Sequence, residues 1–258
     1  MVSHSTLDEV NHFITTHNPF DRSLVVTKQA VWGQGFPDVS SLNSHASDAV
    51  FEAIEKVRKG QRKVVGLTIK AEKGLGKSHI ISRIRHRLQD RGGAWFIYMS
   101  DYSNLNRIKP EFLNTLALSL KQVGCQEVMQ WQELATDLVN TAINRNIPPI
   151  NLMSSFAEKL NRNQNLVEQL TERILNVKSD IDNPYLIQAI LWTLSKAHAP
   201  FAINWISGKG LSKLKAEQMG LPSANEDEGD AEAFERICQI LNLISSYNPF
   251  LVCFDQLE

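Results

Sequence analysis

The run Val64-Val65-Gly66-Leu67-Thr68-Ile69, followed at once by Lys70-Ala71-Glu72-Lys73-Gly74-Leu75-Gly76-Lys77-Ser78, constrains this chain more than any other stretch. Its β-branched opening reads as a short strand, and the glycines that follow read as a tight turn. Ile80, Ile81, Ile84 and Leu88 then recur at helical spacing. Strand, glycine loop and helix in that order build an anion cradle. Backbone N–H groups of the loop converge on one point, and the positive end of the helix backs them. Gly74 and Gly76 permit the backbone angles and the close approach that such a cradle needs.

Composition sets the outer bounds. A chain of 258 residues can bury a substantial core as one large or two small domains. A formal net charge of -1 gives no bulk attraction to nucleic acid or anionic lipid, so a DNA partner has no electrostatic support. Cys125, Cys238 and Cys253 are scattered without metal-ligand spacing and read as reduced, buried thiols. No apolar run approaches the roughly 20 residues that span a bilayer, and the N-terminus lacks a signal peptide's apolar centre. These features place the chain in the cytoplasm, with no membrane partner.

Along the chain, Leu7 to Ile14 reads as a short helix ended by Asn18-Pro19-Phe20, and an irregular lead-in holding Trp32 follows. Ser41 to Lys59 carries apolar residues at helical spacing. Arg83, Arg85, Arg87 and Arg91 read as a solvated face of the helix after the glycine loop, against contact with nucleic acid or a neighbouring subunit. Ala94 to Met99 is the clearest strand, buried on both faces, and its polar exit loop contains Asp101. Helical patterns then occupy Pro110 to Val123, Val128 to Ile143, Leu152 to Leu160, Leu166 to Val177 and Tyr185 to His198. Trp131, Trp192 and Trp205 belong to their core. An acidic connector, Ser223 to Asp230, leads to a helix over Phe234 to Tyr247. These patterns divide the chain into a lead-in (1–40), a first core segment (41–123), a helical insertion (124–230) and a last core segment (231–258).

Phe250-Leu251-Val252-Cys253-Phe254 is an apolar strand that finishes in Asp255-Gln256-Leu257-Glu258. An aspartate at the tip of a buried strand is the Walker-B arrangement, the partner of a phosphate loop across a magnesium ion. Together the two motifs and the lead-in resemble the bacterial P-loop ATPases of the AAA-plus/STAND kind, near origin-recognition-like ATPases and the large ATP-binding proteins of phage-exclusion systems of the BREX type. Their motif, G-x-x-x-x-G-K-[ST], has Ala71 at its first glycine here, a departure many members share.

The resemblance implies an α/β fold: the P-loop three-layer sandwich on a parallel sheet, incomplete at its C-terminal end and carrying a large helical insertion. It implies ATP and Mg²⁺ as ligands. Ala71, Gly74, Leu75, Gly76, Lys77, Ser78 and His79 would line the phosphates, Lys77 would reach the β- and γ-phosphates, and Ser78 and Asp255 would hold the metal. By the same resemblance Trp32, Asp38 or Val39 lies near the base, against a plain packing role for Trp32; Asp101, in the loop at the carboxyl end of a strand where open α/β sheets bind ligands, is a candidate near the metal, against a loop-capping role. The family commonly has a glutamate after the metal aspartate, where this chain has Gln256. An amide orients water without taking its proton, which leaves Glu258 as the candidate base.

Family members also continue past this point with a sensor strand, an arginine finger and a helical lid. The resemblance therefore implies a further segment or subunit that supplies them, or else a P-loop class in which the two motif strands are direct neighbours. Two functions follow from the residues: ATP hydrolysis that drives conformational change in a larger assembly, or a nucleotide-gated module that turns over little. Phosphoryl transfer to a small acceptor has no acceptor or lid motif behind it.

Overall fold

The computed structural model describes residues 31–33, 38, 41–72, 74–102, 104–223 and 229–255. The helix expected over Leu7 to Ile14, Val39, Gln256 and Glu258 lie outside them.

The chain after Lys77 is mostly helix. α1 (Ser44–Arg58) and α2 (Lys77–Arg91) precede β1 (Trp95–Met99). A 3-10 turn (Leu105–Arg107) then leads into α3 (Ile108–Leu120), α4 (Gln130–Ile143), α5 (Pro149–Arg162), α6 (Leu166–Val177), α7 (Pro184–Trp192), α8 (Ala199–Ile206), α9 (Lys213–Met219) and α10 (Asp230–Ser245). β2 (Phe250–Phe254) follows and pairs in parallel with β1, Trp95 opposite Phe250 through Met99 opposite Phe254.

Alternation along β1 divides the hydrophobic interior. Trp95 and Ile97 face the large helical body, where they share one core with Leu116, Trp131, Ile190 and Ile240. Phe96 and Tyr98 face the other way, into a smaller core with Val31, Val50, Ile54, Ile80 and Ile84. Every residue of β1 is buried, as expected of a strand covered on both faces. Trp131, Trp192 and Trp205 are buried in the helical body, and each indole N–H donates to a carbonyl, of Ala117, Met219 and Pro222 respectively. Burial of a large ring with its one donor satisfied explains their place in the core.

The expected three-layer sandwich on a parallel sheet is not what the chain forms. Among the described residues the sheet has two strands, and helices make up most of the molecule. The decisive departure is Val64 to Ile69, which is in no sheet: Val64 is 83% exposed and Leu67 51% exposed. β-branched residues favour a strand only where a neighbouring strand offers a free edge and a packed face.

The edge of β1 that faces away from β2 is closed by side chains instead. The Phe96 N–H donates to Gln130 Oε1 at 2.8 Å, and Gln130 Nε2 donates back to the Phe96 carbonyl at 3.2 Å. The Tyr98 N–H donates to Ser119 Oγ at 3.1 Å. With those groups satisfied, that edge has fewer backbone partners to offer a third strand.

Two shorter differences have local causes. α7 stops at Trp192, short of His198, because the chain turns through Thr193 to His198 and restarts as α8 with a proline in its first turn. Cys125 and Cys238 are exposed and Cys253 partly so, and none forms a disulfide, so the thiols are free but not all interior. Among the described residues no helix is long and apolar enough to cross a membrane.

Candidate phosphate and metal site

The glycine loop is held by its own backbone and by one lysine. Gly74 and Gly76 have φ of +86° and +85°, a region L-residues with side chains rarely enter. The Leu75 N–H donates to the Glu72 carbonyl at 3.3 Å, and α2 starts at Lys77 with Gly76 as its N-cap. The Gly76 carbonyl accepts the Ile80 N–H at 3.0 Å, but Gly76 has no side chain to cap the N–H groups that precede it in the first turn of α2. Lys77 folds back along the loop, its Nζ donating to the carbonyls of Ala71 at 2.8 Å and Glu72 at 3.2 Å. Ala71, Gly74 and Leu75 are exposed, while Gly76, Lys77, Ser78 and His79 are half-buried.

The second motif meets the first. The Ser78 hydroxyl donates to Asp255 Oδ2 at 2.8 Å, across a sequence separation of 177 residues. Asp255 is only 6% exposed. Its own N–H donates to the Met99 carbonyl at 2.9 Å, which extends the β1–β2 ladder by one bond and fixes the backbone that carries the carboxylate. A hydroxyl and a carboxylate side by side are hard oxygen donors of the kind Mg²⁺ accepts, beside exposed backbone that phosphates can approach. Among the described residues there is no cluster of three or more His, Cys, Asp or Glu that would hold a metal unaided. Magnesium in nucleotide sites takes one or two protein oxygens and completes its shell with phosphate and water, so the pair fits that chemistry.

Two features escape a reading by motif. The Tyr98 hydroxyl donates to Asp255 Oδ2 at 2.9 Å, the same oxygen that Ser78 uses. Burial, first of all, raises the Tyr98 pKa well above its usual value, and the neighbouring Asp255 raises it further. A tyrosine within an otherwise apolar strand carries a hydroxyl that must find a partner when buried, and that was the available signal.

The other is a clamp on the start of α2. The Arg83 guanidinium grips the Asp38 carboxylate through Nε at 2.9 and 3.0 Å and through Nη2, while its Nη1 donates to the Leu42 carbonyl at 2.7 Å. His79 Nε2 lies 2.9 Å from the same carboxylate. The Arg83 hydrogen bond holds the Asp38 pKa below the usual carboxylate value, against a smaller opposing effect of burial. Arg83 and Arg85 are 8% and 5% exposed, so the expected solvated arginine face is half interior.

The remaining sequence candidates fall elsewhere. Trp32 packs edge-on against Phe96 with ring centroids 5.3 Å apart, under the guanidinium of Arg85, which suits a packing role. Asp101 is exposed in the loop after β1. No protein-family model, curated protein or solved structure matches the chain.

Proposed function

We propose that residues 71–78 and Asp255 form a site for ATP and Mg²⁺, in which the loop N–H groups and Lys77 take the phosphates and Ser78 and Asp255 hold the cation. The observation that carries this reading is the 2.8 Å bond between Ser78 Oγ and Asp255 Oδ2, which joins two motifs from distant parts of the chain at one place. Lys77, one residue before Ser78, supplies the positive charge, and the αL glycines expose the backbone donors. The cation, when bound, neutralises phosphate charge. The chain's own part is to orient the triphosphate and hold its β- and γ-oxygens.

Hydrolysis to ADP and phosphate, coupled to conformational change in a larger assembly, is the leading activity. It requires a base, for which Glu258 stands as the candidate beside Gln256, and an arginine from another segment or subunit. The kinship to AAA-plus/STAND ATPases is proposed for this nucleotide chemistry alone, since the sandwich itself is not formed. A second reading, a nucleotide-gated module with little turnover, is favoured by Gln256, whose amide does not accept a proton near neutral pH. Phosphate release measured with and without DNA, alongside a Glu258→Gln variant, separates the two.

Binding of Mg·ATP by the Lys77→Ala variant tests the site itself. Loss of a charge-assisted contact of about 1.5–3 kcal/mol predicts an affinity lowered about 10- to 150-fold. Equal affinity in the variant and the parent refutes the reading.

A further inference from the structure

We infer that Tyr98 is a positioning residue of this site, whose buried hydroxyl holds the Asp255 carboxylate in the orientation from which it meets a divalent cation beside Ser78. The inference rests on the ATP and Mg²⁺ reading above and deepens it.

The placement follows from register. Tyr98 lies opposite Cys253 in the parallel pair, and Asp255 is two residues further along, on the same face of the sheet as Cys253. That is the face on which α2 packs, and Ser78 is in its first turn. Tyr98 is 2% exposed, its ring fixed edge-on to Trp32 at 6.4 Å and its N–H tied to Ser119 Oγ. A ring so confined delivers its hydroxyl to one point. At that point the hydroxyl donates to Asp255 Oδ2 at 2.9 Å, with the Ser100 side chain beside it.

The two donors to Oδ2 differ in attachment. Ser78 is in the first turn of α2, next to the loop that would take the phosphates, so its hydroxyl is shared with the ligand's surroundings. Tyr98 belongs to β1, which is hydrogen-bonded along both edges, and it stays with the sheet when the loop adjusts. Its phenol is a neutral hydroxyl donor aimed at the carboxylate. Without it, a nearly buried carboxylate loses a hydroxyl donor and its torsion is no longer set from the sheet side.

The test is Tyr98→Phe in the full chain, which keeps the ring and its packing and removes only the hydroxyl. ATP affinity is measured with Mg²⁺ and again in EDTA, with thermal unfolding as the control for folding. The same measurements are made on Asp255→Asn and on the double variant. We expect about a tenfold loss of affinity with Mg²⁺, equivalent to about 1.4 kcal/mol, and no change in EDTA. In the Asp255→Asn background the tyrosine change should add nothing, because the hydroxyl acts through the carboxylate.

Equal losses with and without Mg²⁺ would show a structural role and overturn the inference. So would an unchanged affinity, or a full additional loss on top of Asp255→Asn. If the parent protein shows no Mg²⁺-dependent ATP binding, the site reading falls and Tyr98 loses its role with it. If the parent shows such binding and Tyr98→Phe matches it, the Tyr98 role alone is overturned.

Discussion

Glu133 on α4 is 4% exposed, yet it is a carboxylic acid. Its Oε1 accepts the Gln126 N–H at 2.6 Å, and Cys125 Sγ is 4.0 Å from Oε2. Gly124 passes so close that a Cβ there would stand 2.4 Å from Oε1. Burial dominates: it raises the pKa from 4.5 to about 7, the Gln126 N–H pulling it back and the charge of Asp137 adding to the rise. Between those two values the folded chain keeps a proton that the unfolded chain has released. The folded state therefore binds more protons in this window, and stability falls as pH rises through it.

The shift corresponds to about 3 kcal/mol, present below the unfolded value and lost by about pH 8. Glu133→Gln keeps the acceptor for Gln126 and removes the ionisation. Asp137, raised by burial to about 6, falls in the same direction, but it stays in both proteins and largely cancels in the comparison. The stability of the variant relative to the parent should rise by about 3 kcal/mol from pH 4 to pH 8, or about 1 M in urea midpoint at a slope of about 3 kcal/mol/M. Urea unfolding followed by circular dichroism at a series of pH values reads this directly. A difference that stays flat with pH, or that falls, would refute the reasoning.

Gln130→Leu should cost about 2–4 kcal/mol in urea unfolding, because it strips both the N–H and the carbonyl of the buried Phe96 of their partners; a loss under about 0.5 kcal/mol would mean that this side chain is not what closes the strand edge. Gly76→Val forces a β-branched residue to φ +85° at the start of α2. It should lower Mg·ATP affinity at least about tenfold while the far-ultraviolet dichroism is kept, and unchanged affinity would remove the loop geometry from the account.

Legibility in the sequence followed the range of the physics. The helices over 44–58, 77–91 and 166–177 are written in apolar spacing that needs no knowledge of the rest of the chain, and β1 is written in an apolar run bounded by Gly92-Gly93 and Ser100. Asp255 was legible for the same reason, as the polar end of an apolar strand. Val64 to Ile69 misled because its β-branched residues state a local preference, whereas strand formation depends on an edge elsewhere.

Here Gln130 and Ser119 take one side of β1 and β2 takes the other, and residues 64–69 do not pair with the far edge of β2 either. No pattern inside residues 64–69 encodes how the rest of the chain disposes of those edges. Arg83 and Arg85 misled in the opposite sense. Their charge argued for solvent, but a guanidinium that finds a carboxylate such as Asp38, or an aromatic face such as Trp32, can be buried with its long stem adding to the core.

The same logic accounts for Tyr98. Apolar periodicity assigns its ring to the interior and is silent about its hydroxyl. Only the parallel register, which sets Asp255 two residues past its partner Cys253, determines where that hydroxyl goes. The sheet is small, yet its one pairing brings residues from three separate stretches, Ser78, Tyr98 and Asp255, onto a single carboxylate oxygen. A local motif reading can propose the first and last of these. The middle one depends on the tertiary pairing, which is why its removal tests whether the sheet itself orients the carboxylate.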